Sequence, residues 1–230
     1  MKTVAIIPAA GSGVRMGGSG KKQFFALDGK PILAHTLSRL LSSPMVDEAV
    51  LVVPADEKEL CHEIIDTHKF SRVSEVVEGG ITRQESVFNG FDRLPGDTDI
   101  VLVHDGVRPF VTARMIEKTI RAAAIHGAAI AAVRVKDSLK KVNDGQIIGA
   151  LSRDDLVRAQ TPQCFRYETL RQGLVEAARD GFVATDESSL VERQGILVQV
   201  VEGSETNLKI TTPEDLKLAE ALLNVITDRG

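Results

Sequence analysis

The stretch Val4-Ala5-Ile6-Ile7-Pro8-Ala9-Ala10-Gly11-Ser12-Gly13-Val14-Arg15-Met16-Gly17-Gly18-Ser19-Gly20-Lys21-Lys22-Gln23 decides the fold. Its first four residues are apolar without alternation, the pattern of a strand buried on both faces. The strand then opens into a loop with five glycines in the ten positions 11–20. Glycine allows positive φ and close backbone approach, so successive N–H groups can face a phosphate. A buried strand feeding such a loop begins an α/β unit, and open α/β sheets bind ligands at the carboxyl ends of their strands.

The rest of the chain repeats that beginning. Apolar runs at 4–7, 49–53, 73–77, 100–103, 128–135 and 196–201 read as strands. Between them, 31–41, 114–126 and 166–179 carry apolar residues at helical spacing, with Pro31 placed at a first helical turn. Thr212-Pro213-Glu214-Asp215 opens a last helix with a cap, Pro and an acidic first turn. Strand–helix alternation predicts an α/β fold with a mostly parallel sheet. Residues 136–155 break the alternation. They are polar, and Asn143-Asp144-Gly145 centres a hairpin signal, read either as a plain insertion or as an arm reaching a partner subunit. We find no repeat and no linker, so 1–230 reads as one domain carrying an arm at about 136–155.

Two familiar phosphate loops fail at the glycine-rich stretch. The dinucleotide fingerprint starts at Gly11 and Gly13 but meets Met16 at its third position. The P-loop pattern fails at Arg15 before Gly20-Lys21 and at Lys22 after it. What remains is a loop with three cations, Arg15, Lys21 and Lys22. A solvated basic turn competes with a polyphosphate clamp, and the density of glycine favours the clamp.

Other strand ends offer further polar groups. His104-Asp105-Gly106-Val107-Arg108-Pro109 follows the fourth run, where Asp105 either caps a turn or faces the same crevice as the first loop. In Glu78-Gly79-Gly80-Ile81-Thr82-Arg83-Gln84-Glu85-Ser86, Gly80 suits the approach of a base or ribose and Ser86 a hydrogen bond to it, unless the segment is only a helix start. Thr185-Asp186-Glu187 and Asn207-Leu208-Lys209 are further clusters, with Thr185 read as a helix N-cap. His35, His62, His68 and His126 sit within helical patterns and read as surface or packing residues.

Composition limits the function classes. With 28 Lys+Arg against 32 Asp+Glu, the net charge of −4 supplies no basic excess for nucleic acid. No run approaches the ~20 apolar residues of a membrane span, and the run at 4–10 is too short and glycine-bound for a signal segment. Cys61 and Cys164 form neither a disulfide framework nor a metal-site spacing, which fits a reducing, cytoplasmic setting.

Taken together, Pro8-Ala9-Ala10-Gly11-x-Gly13-x-Arg15-Met16, Lys22-Gln23, His104-Asp105-x-x-Arg108-Pro109, Thr161-Pro162-Gln163 and Thr185-Asp186-Glu187 resemble the 2-C-methyl-D-erythritol 4-phosphate cytidylyltransferases, in family order over almost the whole chain. The resemblance implies a Rossmann-like three-layer fold and a homodimer joined through the hairpin arm. The implied reaction transfers CMP from CTP to methylerythritol phosphate, with release of pyrophosphate, in isoprenoid precursor synthesis. It also implies roles. Ala9, Ala10, Gly11, Gly80, Ser86 and Gly106 would hold the cytidine, largely through backbone groups. Arg15 and Lys22 would be the catalytic cations on the triphosphate, and Asp105, Arg108 and Lys209 would face the acceptor. Ser138, Arg153 and Thr161 would reach it from the other subunit's arm, with Thr185 nearby. Mg²⁺ would be held mainly by the CTP phosphates, its protein ligands unknown.

The chain departs from the family pattern at Ile81, where Asp is frequent, at Ser138 in place of Thr, and at Gly106-Val107 in place of Ala-Ala. The ribitol 5-phosphate cytidylyltransferases share much of the pattern, but their first loop usually reads Ala-Gly-Gly. A non-catalytic CTP sensor and a nicotinamide-dependent dehydrogenase are further alternatives. The second fits the alternation but not the loop.

Overall fold

The computed structural model describes residues 1–11 and 21–227. The chain runs β1 (Thr3–Pro8), β2 (Ala26–Leu27), β3 (Lys30–Pro31), α1 (Ile32–Leu41), β4 (Glu48–Val53), α2 (Lys58–His68), β5 (Val73–Glu78), α3 (Arg83–Phe91), β6 (Ile100–Val103) and α4 (Ala113–His126). It continues through β7 (Ala128–Arg134), β8 (Leu139–Asn143), β9 (Gln146–Leu151), β10 (Val157–Arg166), α5 (Tyr167–Asp180), α6 (Glu187–Glu192), β11 (Gln199–Glu202) and α7 (Pro213–Thr227).

Seven strands form one sheet in the order β11-β7-β10-β6-β1-β4-β5. The expected α/β class and mostly parallel sheet are present. β1, β4, β5 and β6 run parallel, as do β7 and β11. β10 is antiparallel to both of its neighbours. No apolar run announces β10, because Gln160, Thr161 and Gln163 are polar residues at buried positions. β11 begins at Gln199, later than the expected 196; Ile196 and Val198 instead pack beside the core.

Both sheet faces are covered, which is why the central strands read as continuous apolar runs. Leu33, Leu37 and Leu40 of α1, Cys61 of α2 and Ile116 and Ile120 of α4 pack one face. Val87 and Phe91 of α3, Leu170 and Leu174 of α5 and Leu190 of α6 pack the other. α3 comes unusually close to the sheet. A Cβ on Gly90 would lie 2.7 Å from Ile6 Cγ2 and 2.8 Å from Val52 Cγ2. A third cluster, with Leu27, Ile32, Phe110, Ile210 and Ala219, ties β2, α1 and α7 together. Pro31 is the N-cap of α1, one place earlier than expected.

The hairpin expected at 136–155 is present as β8–β9, a separate two-stranded sheet. Asp144 and Gly145 take φ of 47° and 80°, as a tight two-residue turn with positive φ at both centres requires. Every residue of β9 is exposed, including Ile147, Ile148 and Leu151.

Strand order places the site. From β1 the chain moves outward through β4 to β5, then returns to the other side of β1 with β6. The reversal opens a crevice beyond the carboxyl ends of β1 and β6, where open α/β sheets bind ligands.

Candidate active site

A cavity of about 270 Å³ lies in that crevice, lined by the residues after β1, the turn between β5 and α3, Asp105 and Val107 after β6, and Lys209. The first wall is backbone. Ala9 N–H donates to Val52 O at 2.7 Å, and the buried Gln23 amide donates to Ala9 O, which fixes Ala9, Ala10 and Gly11 as an edge.

The opposite wall is the start of α3. Thr82 and Glu85 form a reciprocal capping box, and Glu85 Oε2 also accepts from Ile81 N–H at 2.7 Å. Ser86 Oγ accepts from Gly80 N–H at 3.1 Å and donates to Thr82 O at 2.9 Å. A Cβ on Gly79 would lie 2.2 Å from Ala10 Cβ, so glycine there lets the two walls meet. Ile81, the residue that departs from the family pattern, lies at the cavity with 99% of its surface exposed.

The expected residues separate into those brought together and those not. Ala9, Ala10, Gly11, Lys22, Gly80, Ser86, Asp105 and Lys209 all line the cavity. Arg15 lies outside the described residues. Gly106 sits behind the wall, its N–H on Pro8 O and its carbonyl accepting from Thr36 Oγ1, so it backs Ala9 and does not line the cavity. Lys21 does not line the cavity and pairs instead with Asp56 and Glu57. Thr185 is not the N-cap. Asp186 is, accepting from Ser189 N–H at 3.1 Å, while Thr185 Oγ1 meets Ser189 Oγ at 3.0 Å. Ser138 is exposed and Arg153 donates to Lys136 O at the root of the arm, so neither lines the cavity of its own chain. Thr161 does not stand on the arm. It belongs to β10, and its hydroxyl accepts from Asp105 N–H of the same chain at 3.1 Å.

Asp105 is the hub of the third wall. It is 5% exposed. Oδ1 accepts from Arg83 Nε at 3.2 Å, and Oδ2 accepts from Arg108 Nε at 3.2 Å and Lys209 Nζ at 2.9 Å. Burial alone would push this carboxyl up, but Arg83, Lys209 and Arg108 hold it well below the usual carboxylate range. Arg108 is also anchored through Nη1 to Asn207 O at 2.8 Å. Arg83 Nη1 reaches Glu187 Oε1 at 2.6 Å. Burial raises the Glu187 carboxyl, and the facing Arg83 opposes that rise. Three cations against two carboxylates leave this cluster one positive charge in surplus.

Sequence reading quoted Gln23, Arg83, His104 and Glu187 within its motifs but gave them no role in the site. One signal was available. A cation in the first turn of a helix opposes the helix dipole and so marks a residue used elsewhere. Among the described residues no group of three His, Cys, Asp or Glu side chains is placed to hold a metal ion. No helix of the described residues is long and apolar enough to cross a membrane.

The chain is similar in sequence and fold to known proteins. The family model described as IspD, 2-C-methyl-D-erythritol 4-phosphate cytidylyltransferase, matches residues 3–225. The chain is 47% identical over 224 residues to the protein of that name from Syntrophus aciditrophicus, covering 96% of each. It is 46% identical to that of Geobacter metallireducens, covering 97% of this chain and 98% of the other. The crystal structure of 4-diphosphocytidyl-2C-methyl-D-erythritol synthase from Anaerococcus prevotii is similar, with a TM-score of 0.85 at 33% identity, covering 97% of this chain and 96% of that one.

Proposed function

The chain belongs to the IspD family, the 2-C-methyl-D-erythritol 4-phosphate cytidylyltransferases, and from that membership we propose how its cavity carries out the reaction. The enzyme transfers CMP from CTP to 2-C-methyl-D-erythritol 4-phosphate in isoprenoid precursor biosynthesis, giving 4-diphosphocytidyl-2-C-methyl-D-erythritol and pyrophosphate. One observation carries the assignment of substrates to walls: a backbone edge and a cationic cluster line one cavity. That geometry suits two ligands, a nucleotide and a phosphorylated acceptor.

CTP lies with its cytidine along Ala9, Ala10, Gly11, Gly80 and Ser86, and its triphosphate toward Lys22 and Arg15. The acceptor phosphate takes up the surplus positive charge around Asp105. Lys209, the most exposed of the three cations there, presents its ammonium to it, while Arg108 and Arg83 stay committed to the protein. The acceptor oxygen is already anionic at neutral pH and needs no strong base. Asp105, held deprotonated by three cations, is a poor base in any case. Catalysis is positioning plus dispersal of charge at the α-phosphorus and on the leaving pyrophosphate, the work of Lys22 and Arg15.

Among the described residues Asp105 is the one carboxylate lining the cavity, and it already meets three cations, so these donors do not build a metal site from protein alone. The CTP phosphates would hold Mg²⁺, which would neutralise part of their charge. The molecule works as a homodimer, because Ser138 and Arg153 stand away from their own cavity and the arm's apolar side chains are uncovered. Buried, free Cys61 and Cys164 suit a reducing cytoplasm.

Pyrophosphate release is the direct test, with CTP, Mg²⁺ and either methylerythritol 4-phosphate or ribitol 5-phosphate. We expect release with the first acceptor. Release with ribitol 5-phosphate alone would reassign the acceptor wall, and binding of CTP without release would leave a sensor.

A further inference from the structure

Arg83 opens α3 beside the nucleotide wall, yet its guanidinium serves the acceptor wall. Nε donates to Asp105 and Nη1 donates to Glu187. Glu187 stands at the start of α6, is 2% exposed, and holds only Arg83 among charged partners. Its second oxygen, Oε2, is buried with no hydrogen-bond partner. A buried carboxylate left half satisfied costs the fold free energy that a neutral side chain of the same shape would not. No turn or cap needs the charge, because Asp186 already caps α6.

We propose that Glu187 is a positioning residue for the acceptor wall, acting through Arg83. An arginine beside a lone carboxylate tends to pair two nitrogens with both oxygens. Glu187 holds Nη1 and so fixes the tilt of the guanidinium, in which Nε alone meets Asp105, on Oδ1. Oδ2 is thereby left to Arg108 and Lys209. Without Glu187, Arg83 closes on both oxygens and displaces the Lys209 ammonium from the place where the acceptor phosphate meets it. This rests on the assignment of the acceptor to the Asp105 wall made above.

The test is E187Q, R83Q and the double variant, assayed for pyrophosphate release with each substrate varied in turn. E187Q should raise the KM for methylerythritol 4-phosphate about ten- to a hundredfold, the scale of one charge-assisted hydrogen bond, with the KM for CTP and the Tm nearly unchanged. The double variant should be no worse than R83Q, because the two residues act as one unit. E187D, which keeps the charge, should recover part of the loss. Equal rises in both KM values with a lowered Tm would make Glu187 merely structural and overturn the proposal, as would an unchanged acceptor KM. Should E187Q not fold, E187D, whose shorter side chain reaches Arg83 less well, should raise the acceptor KM alone by a smaller factor, and an unchanged acceptor KM there would overturn the proposal. A crystal structure of E187Q separates this proposal from the function. Arg83 should lie forked on Asp105, and an unmoved Arg83 would refute the proposal whatever the enzyme's acceptor proves to be.

Discussion

The Nε2 atom of His104 lies 3.1 Å from the carbonyl oxygen of Arg108, and because a carbonyl only accepts, the ring carries its proton there. Nδ1 is then an acceptor, and the Thr161 hydroxyl donates to it at 3.0 Å. That hydroxyl in turn accepts from Asp105 N–H. One neutral imidazole thus fixes both ends of the turn that carries Asp105 and Arg108.

Stability should therefore depend on pH through His104. Burial first, against the nearby Arg108 carbonyl and Asp105, lowers its pKa from 6.5 to about 4. Between those values the unfolded chain binds a proton that the folded chain refuses, so stability falls as pH falls. At about 1.4 kcal/mol per tenfold change in proton affinity, the loss is about 3 kcal/mol. Thermal unfolding from pH 7 to 4.5 should show a steeper fall in the native protein than in His104→Gln. Parallel curves would place the titration elsewhere.

Lys22→Ala should lower kcat by about 10²–10³ while the fold is kept, the scale of losing one fixed charge-stabilising donor. Steady-state kinetics beside a circular dichroism spectrum checks this. A kcat close to native would remove Lys22 from the chemistry.

Gly79→Ala should act on the nucleotide and not on the acceptor. Its new methyl would overlap Ala10 Cβ and press on Ser86 Oγ, 2.9 Å away. Repacking should cost about 1–3 kcal/mol of stability and raise the KM for CTP. Unchanged CTP kinetics would mean that Ala10 is not part of the nucleotide edge.

Charges on the arm should part the subunits. An isolated two-stranded hairpin is marginal in water, so β8–β9 needs something to lie against. Ile147→Lys with Ile148→Lys should shift the mass measured by light scattering from dimer to monomer and depress activity. A native protein that is monomeric and fully active would end the arm reading.

How far the sequence reached depended on the range of the interaction. The strand at β1 and the Asp144-Gly145 turn are local patterns, and they stood as read. β10 was hidden because its buried polar residues find partners far along the chain. Thr161 meets Asp105 across 56 positions, and Gln163 meets Asp186 across 23. Arg83 and Glu187 are 104 positions apart, and nothing in either neighbourhood names the other. The family likeness supplied Asp105, Arg108 and Lys209, but not that Asp105 joins them in one ion cluster.

The Arg108–Asn207 and Asp105–Lys209 contacts have a consequence for how the enzyme comes into being. β1, β4, β5 and β6 all emerge early from the ribosome, and with them the nucleotide edge. The acceptor wall waits for Asn207 and Lys209, made long after β6. A nascent polypeptide halted short of them has the residues that greet CTP but not those that receive its partner. A chain halted before residue 207 would thus lack the acceptor wall and be silent as an enzyme.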